Sequence, residues 1–482
     1  MLRARALLCL ALAACARGAP AIEGAAPVPQ SSSSLWAPPA SVVHAGDNDA
    51  RRIPSSTTEP RQLTLAQVVD LALRNSPATQ ESWTEARAAA DVYGSTEGRL
   101  YPTVTAGVGT NKTLAQSPGR APTERTQYGP TLGLSYTVLD FGGRGGSIDV
   151  ARQTAIAADL THNATVENTI LGVESAAFTY LSTRAQRDAE TIALQLATAA
   201  LDAANERHRV GLATIADVLQ AQTARSQAEL ELETLEGSLQ IARGALAVAM
   251  GLPANTPFEL PDLPATDSTY FVTQSVDSLI AMAVRSRPEL ATARAQAAAA
   301  QSEIRVARSA YLPALALSAT GASNGSNVSN FSGNSYAINL GVQMPVFTGF
   351  SNHFDAAAAS ERYHSALAQS DAAKQVVVQQ VFTAFYTLRT ANDRVRTSRD
   401  LLASAIQSET VARERYREGV GSIVDLLVAQ SALASARAQA VDARWQWRTA
   451  LAQLAHDVGV LNARGDTSFA PLTPAPDVKP RR

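Results

Sequence analysis

RHRVGLATIADVLQAQ at residues 207–222 and RYREGVGSIVDLLVAQ at 415–430 lie 208 positions apart and share eight of their sixteen residues. Each sits between two stretches of helical apolar spacing, and each places a glycine, Gly211 or Gly419, four residues after an arginine. A chain that ends one helix and starts another needs a left-handed residue at the reversal, which glycine adopts without steric cost. Thr214 and Ser422 then suit the N-cap of the returning helix. Each sequence therefore reads as the turn of a helical hairpin.

The repeat extends well beyond the turns. LALRNSPAT (71–79) matches MAVRSRPEL (282–290), and Tyr101-Pro102 matches Leu312-Pro313, both at an offset of 211, while Gly251 and Gly459 return to 208. A period of about 200 residues is far longer than a solenoid unit, so a domain-sized unit is duplicated. The first copy spans 63–260 and the second 275–460. Within the first, apolar spacing predicts helices over 64–99, 147–206 and 214–250. The second repeats them over 275–310, 351–416 and 422–458. The longest runs contain no proline, and about sixty residues at 1.5 Å each make rods roughly 90 Å long. Two antiparallel rod pairs per chain form a slab without a separate globular core.

Composition supports this reading. The chain has 482 residues, 46% apolar and 17% charged, with a net charge of −2. Alanine makes up about a fifth of it, the best helix former and small enough for close helix contact. The near-neutral balance excludes a whole-chain electrostatic grip on nucleic acid. Cysteine occurs only at Cys9 and Cys15, which leaves no disulfide framework or cysteine metal site in the body. Apolar faces on more than one side of the rods call for neighbours, so oligomerisation is expected.

The N-terminus carries Arg3 and Arg5, then the apolar run 6–12, a pattern for a secretory signal over 1–14. Leu12-Ala13-Ala14-Cys15 resembles the bacterial lipobox, which would make Cys15 an acylated N-terminus; an ordinary signal peptide that happens to hold a cysteine is the plainer reading. Residues 15–62 read as an extended, lipid-anchored tether and 461–482 as a disordered tail.

Between the helices lie two pairs of alternating segments. Residues 127–138 direct Tyr128, Leu132, Leu134, Tyr136 and Val138 to one face, and 336–346 do the same with Tyr336, Ile338, Leu340, Val342, Met344 and Val346. Their partners are 102–110 and 313–320. Strands of about ten residues, apolar on one face and small or polar on the other, mark a transmembrane β-barrel, although two half-buried hairpins on a soluble domain give the same alternation. In a membrane the sheet must close on itself, and four strands cannot close around a lumen. Several copies would then share one barrel.

With these features the chain resembles the TolC-like outer membrane factors, in their lipoprotein branch, over residues 63–460. The resemblance implies a mainly α-helical protein with a transmembrane β-barrel portion, in which a homotrimer forms a twelve-stranded barrel continued by a long helical barrel. It implies the outer membrane channel of a tripartite efflux or type I secretion system. Such a channel is a passive duct, not an enzyme, lies in outer membrane lipid with its helices in the periplasm, and works with a periplasmic adaptor and an inner-membrane transporter. Carried over position by position, Arg207, Arg209, Gly211, Thr214 and Asp217 fall at one periplasmic tip, and Arg415, Gly419, Ser422 and Asp425 at the other, where the adaptor docks. Asp425 would form an acidic gate ring. Tyr416 would hold the closed state with Asp217. Val428 and Gly421 stand where a second acidic residue and an arginine are expected, which implies a less tightly latched gate.

Nothing in the chain suggests other chemistry. The six histidines lack metal-ligand spacing, no phosphate loop or nucleophile elbow occurs, and FGGRGG at 141–146 reads as a turn leaving the strands. No cofactor is expected. The alternative function is a trimeric structural or adhesive stalk with no conducting lumen.

Overall fold

The computed structural model describes residues 29, 31–36, 62–116, 118–119, 121–263, 270–272, 274–327, 332–461 and 472–474. The signal region, Cys15 and most of the tether and tail lie outside them.

The first copy opens with α1 (Leu65–Asn75) and α2 (Pro77–Gly98). The single stretch expected over 64–99 is broken at Ser76, which ends α1 and caps α2 with Pro77 at its first position. The residue before proline is driven out of the helical region, and proline's missing N–H costs nothing at a helix start. A hairpin follows, β1 (Thr103–Ala115) and β2 (Thr123–Leu139), then α3 (Gly143–Arg209) and α4 (Ile215–Ala249). The second copy repeats the order as α5 (Val276–Ser286), α6 (Pro288–Ser309), β4 (Ala314–Ser326), β5 (Gly333–Gln343), α7 (Ser351–Arg417) and α8 (Ile423–Val458). α3 and α7 each run for 67 residues, about 100 Å.

The strands outrun their sequence signal. β1 and β4 continue five or six residues past the ends expected at 110 and 320, and β2 and β5 begin three or four residues before 127 and 336. The added ends hold Asn111, Lys112, Glu124 and Asn324, where apolar alternation has ceased but ladder bonding has not. Lys112, opposite Thr126, reaches diagonally across β1 and β2 to Glu124 as an ion pair at 2.5 Å.

α2 and α4 pack along α3, and α6 and α8 pack between α3 and α7. The largest buried cluster sits midway down the rods, where α1 and α5 bring Val68, Val69, Leu279 and Ala283 against Ile170, Val173 and Leu181 of α3 and Leu388 of α7. Within it Arg287, at the start of α6, is buried with Asp457 and His456 of α8 and bonds Gln380 of α7. The first copy holds Ser76, Ala249 and Val248 at the aligned places, so this ionic knot belongs to one copy alone.

Two short segments correct the reading of unstructured ends. Leu472–Pro474 (β6), inside the stretch expected to be disordered, pairs antiparallel with β3 (Tyr270–Val272). Residues 31–36, inside the expected tether, lie against the body. Trp36 is buried with Tyr93, Ile156 and Leu160, and its backbone is held twice by the Asn163 amide at 2.8 and 3.0 Å. His162 reaches Ser34 O at 2.8 Å and Ser82 Oγ at 2.9 Å, and burial holds its pKa below the usual histidine value.

Candidate functional site: four strands and a double helical tip

The four long strands form one antiparallel sheet in the order β1-β2-β4-β5. The two copies therefore meet at the β2–β4 seam, where Leu134 faces Ala319 and Tyr136 faces Leu317. β1 and β5 are left as edges with no partner strand among the described residues. Side chains on both faces of these edge strands are exposed, including Val104 and Val108 on β1 and Ile338, Leu340 and Val342 on β5. Long unpaired edges with exposed apolar side chains invite pairing with another chain.

At the opposite end of the rods each hairpin turns on the same device. Gly211 (φ 79°) and Gly419 (φ 80°) sit in the left-handed region. Leu212 N–H returns to Arg207 O at 2.7 Å and Gly211 N–H to His208 O at 3.0 Å, and the second tip repeats both bonds from Val420 and Gly419. These are the paired bonds that close a helix C-terminus through a glycine. The next helix then starts with a capping box. Thr214 N–H donates to Asp217 Oδ2 at 2.8 Å, and Asp217 N–H to Thr214 Oγ1 at 3.2 Å. Ser422 and Asp425 do the same at 3.4 and 3.1 Å. Both acidic residues expected at the gate thus cap helices as well.

Tyr416 is 6% exposed, packed on Ala200, Ile423 and Leu426. Burial pushes its hydroxyl pKa up, with Arg207 opposing and Asp217 adding to the rise. No hydrogen bond joins Tyr416 to Asp217 within the chain, and among the described residues Tyr416 Oη has no partner. What holds the two tips together is Arg207, which the sequence reading placed at the docking surface. Its guanidinium stacks 4.2 Å over the Tyr416 ring and donates to the carbonyls of Tyr416 and, at 3.0 Å, Arg417. A cation on the last carbonyls of α7 complements the negative end of that helix. Its only sequence signal was its place in the repeated RxxxG turn.

Long paired rods, a sheet with two free edges at one end and capped turns at the other define the protomer of a membrane-spanning channel. The chain belongs to the outer membrane efflux protein family, whose model matches residues 68–252 and 279–460. It is 28% identical to protein CyaE of Bordetella pertussis over 397 residues, covering 82% of this chain and 83% of that one. It is 27% identical to the outer membrane protein TolC of Vibrio cholerae over 413 residues, covering 83% and 91%. The crystal structure of VceC from Vibrio cholerae shares the fold with a TM-score of 0.74 at 20% identity, over 82% of this chain and 96% of that chain. The protein is thus an outer membrane channel of the efflux and secretion type and not an enzyme, and the stalk alternative is set aside.

Proposed function

We propose that three copies of this chain close into one duct, the β5 edge of each pairing with the β1 edge of the next to give twelve strands. The free strand edges carry this reading, because four strands cannot seal a lumen in hydrocarbon. The helices support it. Exposed Phe354, Val376, Leu401 and Val411 on α7, and Val92, Leu230 and Ile241 on α2 and α4, lie on the two flanks of the slab, where a neighbouring copy would cover them. The duct receives cargo from an inner-membrane transporter. A periplasmic adaptor docks at the tips formed by Arg207, Gly211, Thr214 and Asp217 and by Arg415, Gly419 and Ser422, whose outermost residues, Leu212 and Val420, are apolar and exposed. Cys15 carries acyl chains that hold the N-terminus in outer membrane lipid.

Purified protein in a planar bilayer is expected to conduct, and particle images are expected to show a three-fold ring with an open centre. Silent bilayers or a filled centre would sink the reading. Three exposed Asp425 carboxylates about the axis attract cations. Asp425→Ala is therefore expected to lower cation selectivity, and Tyr416→Ala, which removes the ring stacked under Arg207, to change conductance. Unchanged currents in both variants would remove the gate assignment. A mature N-terminus at Cys15 with the mass of attached acyl chains is expected by mass spectrometry, and an unmodified cysteine would remove the anchor.

A further inference from the structure

We propose that Arg415 clamps each hairpin tip to the next copy, binding the backbone carbonyls of His208 and Arg209 of that copy. The inference rests on the three-copy ring and on the internal repeat. Arg207 of the first tip holds the carbonyls of Tyr416 and Arg417 in the second. Moved along by the 208-residue offset, Arg207 becomes Arg415, and Tyr416 and Arg417 become His208 and Arg209. In a ring of three duplicated chains the tips alternate first, second, first, second. The contact from a first tip to a second lies within a chain. The equivalent contact from a second tip to a first must cross to another copy.

The single chain shows both halves of that contact waiting. Among the tip arginines, Arg209 pairs with Glu206 at 2.9 Å, Arg413 with Glu409 at 3.2 Å and Arg417 with Glu414 at 3.3 Å. Arg415 is exposed and has no partner among the described residues. Its target is also uncovered. Ile423, beneath the satisfied tip, is 3% exposed, whereas its counterpart Ile215 is 58% exposed. Tyr416 is buried under Arg207, whereas its counterpart His208 is exposed. His208 O already accepts Gly211 N–H at 3.0 Å, as Tyr416 O accepts Gly419 N–H at 3.0 Å, so each carbonyl keeps its second lone pair for a guanidinium.

The two clamps differ in strength. Within the chain the guanidinium stacks on a tyrosine, and between copies it meets a histidine whose Nδ1 is engaged with Ala213 O at 3.0 Å. Tyrosine offers the better cation–π face. The seam between copies is therefore the weaker one, and the tip parts there first.

The test uses the full-length protein. Arg415→Cys combined with Arg209→Cys, treated in membranes with a short bismaleimide, is expected to give covalent dimers and trimers on a denaturing gel. Neither single variant nor the unsubstituted chain, with its own Cys15, should do so. In planar bilayers Arg415→Ala is expected to raise the open fraction at least about tenfold, because each seam loses its charged hydrogen bonds. Arg415→Lys, which keeps the charge but not the fork, should recover only part of the closure. If the unsubstituted protein conducts but the double-cysteine chains stay monomeric and Arg415→Ala gates normally, the clamp is wrong and the duct stands. If the unsubstituted protein does not conduct, the ring fails and the clamp falls with it.

Discussion

Leu340→Arg is expected to abolish assembly of the closed barrel, leaving monomers that extract from membranes without forming channels. Leu340 lies mid-strand in β5, opposite Leu317 of β4, with its side chain on the face that carries Ile338 and Val342. In the proposed barrel that face meets hydrocarbon. An arginine there costs about 2–4 kcal/mol at the bilayer midplane, and three copies bring it to roughly 6–12 kcal/mol per assembly. Asn339→Arg is the matched control, because successive residues of a strand point to opposite faces. Its three cations would line the lumen, so assembly should survive while cation current falls. The measurements are the size of the detergent-extracted particle and its bilayer current. Normal assembly of Leu340→Arg together with failure of Asn339→Arg would reverse the assignment of the two faces.

The second large effect concerns carboxyl groups sealed along α3. Asp159 is fully buried, neither of its oxygens has a hydrogen-bond partner among the described residues, and burial pushes its pKa up to about 8. Glu174 is 1% exposed, likewise without a partner among the described residues, and is raised by burial to about 7. Glu167 is raised to about 8, mainly by burial and further by Glu289, with Arg287 opposing. A carboxyl whose pKa is raised in the fold favours the folded state while protonated. Its contribution is complete below the unfolded value near 4 and is lost as pH climbs through 7 to 8. The protein is therefore expected to unfold at higher temperature at pH 5 than at pH 9. For Asp159 the rise from 3.8 to about 8 sets a ceiling of about 6 kcal/mol at 1.36 kcal/mol per unit, which water entering the helix seam would lower. Asp159→Asn should raise stability modestly at pH 5, where the unfolded carboxyl is already ionised, and much more at pH 9, flattening the profile. Thermal unfolding of the purified protein across that range checks it, and an Asp159→Asn profile parallel to that of the parent would show that this carboxyl is not responsible.

Legibility in the sequence followed the range of the interactions involved. The hairpin turns could be read because a glycine reversal and an N-cap are local, written within eight residues at 207–214 and 415–422. The break at Ser76 was equally local and is marked by Pro77, yet the apolar spacing on either side runs on without a phase change and hides it. The strands showed themselves only where alternation lasts. Their polar extensions at Asn111 and Asn324 are held by ladder bonds that leave no mark on side-chain pattern.

The candidate site divides the same way. Thr214, Asp217, Ser422 and Asp425 act as local caps, so their residue types and spacing announce them. Arg207 and Tyr416 meet from 209 positions apart, and nothing in either neighbourhood says that one will stack on the other. Trp36 sits in a stretch whose proline and serine content argues for an extended chain, and only the groove beside Asn163 gives it a burial site.

By itself, then, the sequence determined the duplication, the order of rods and strands, the two turns and the shortage of strands for a closed barrel, since each depends on periodicity or on contacts a few residues apart. Only the tertiary structure decided which tip holds which, which carboxyls are sealed from water and which strand edges stay open. Those outcomes depend on groups brought together from opposite ends of the chain, and residue type alone does not encode what will lie beside it.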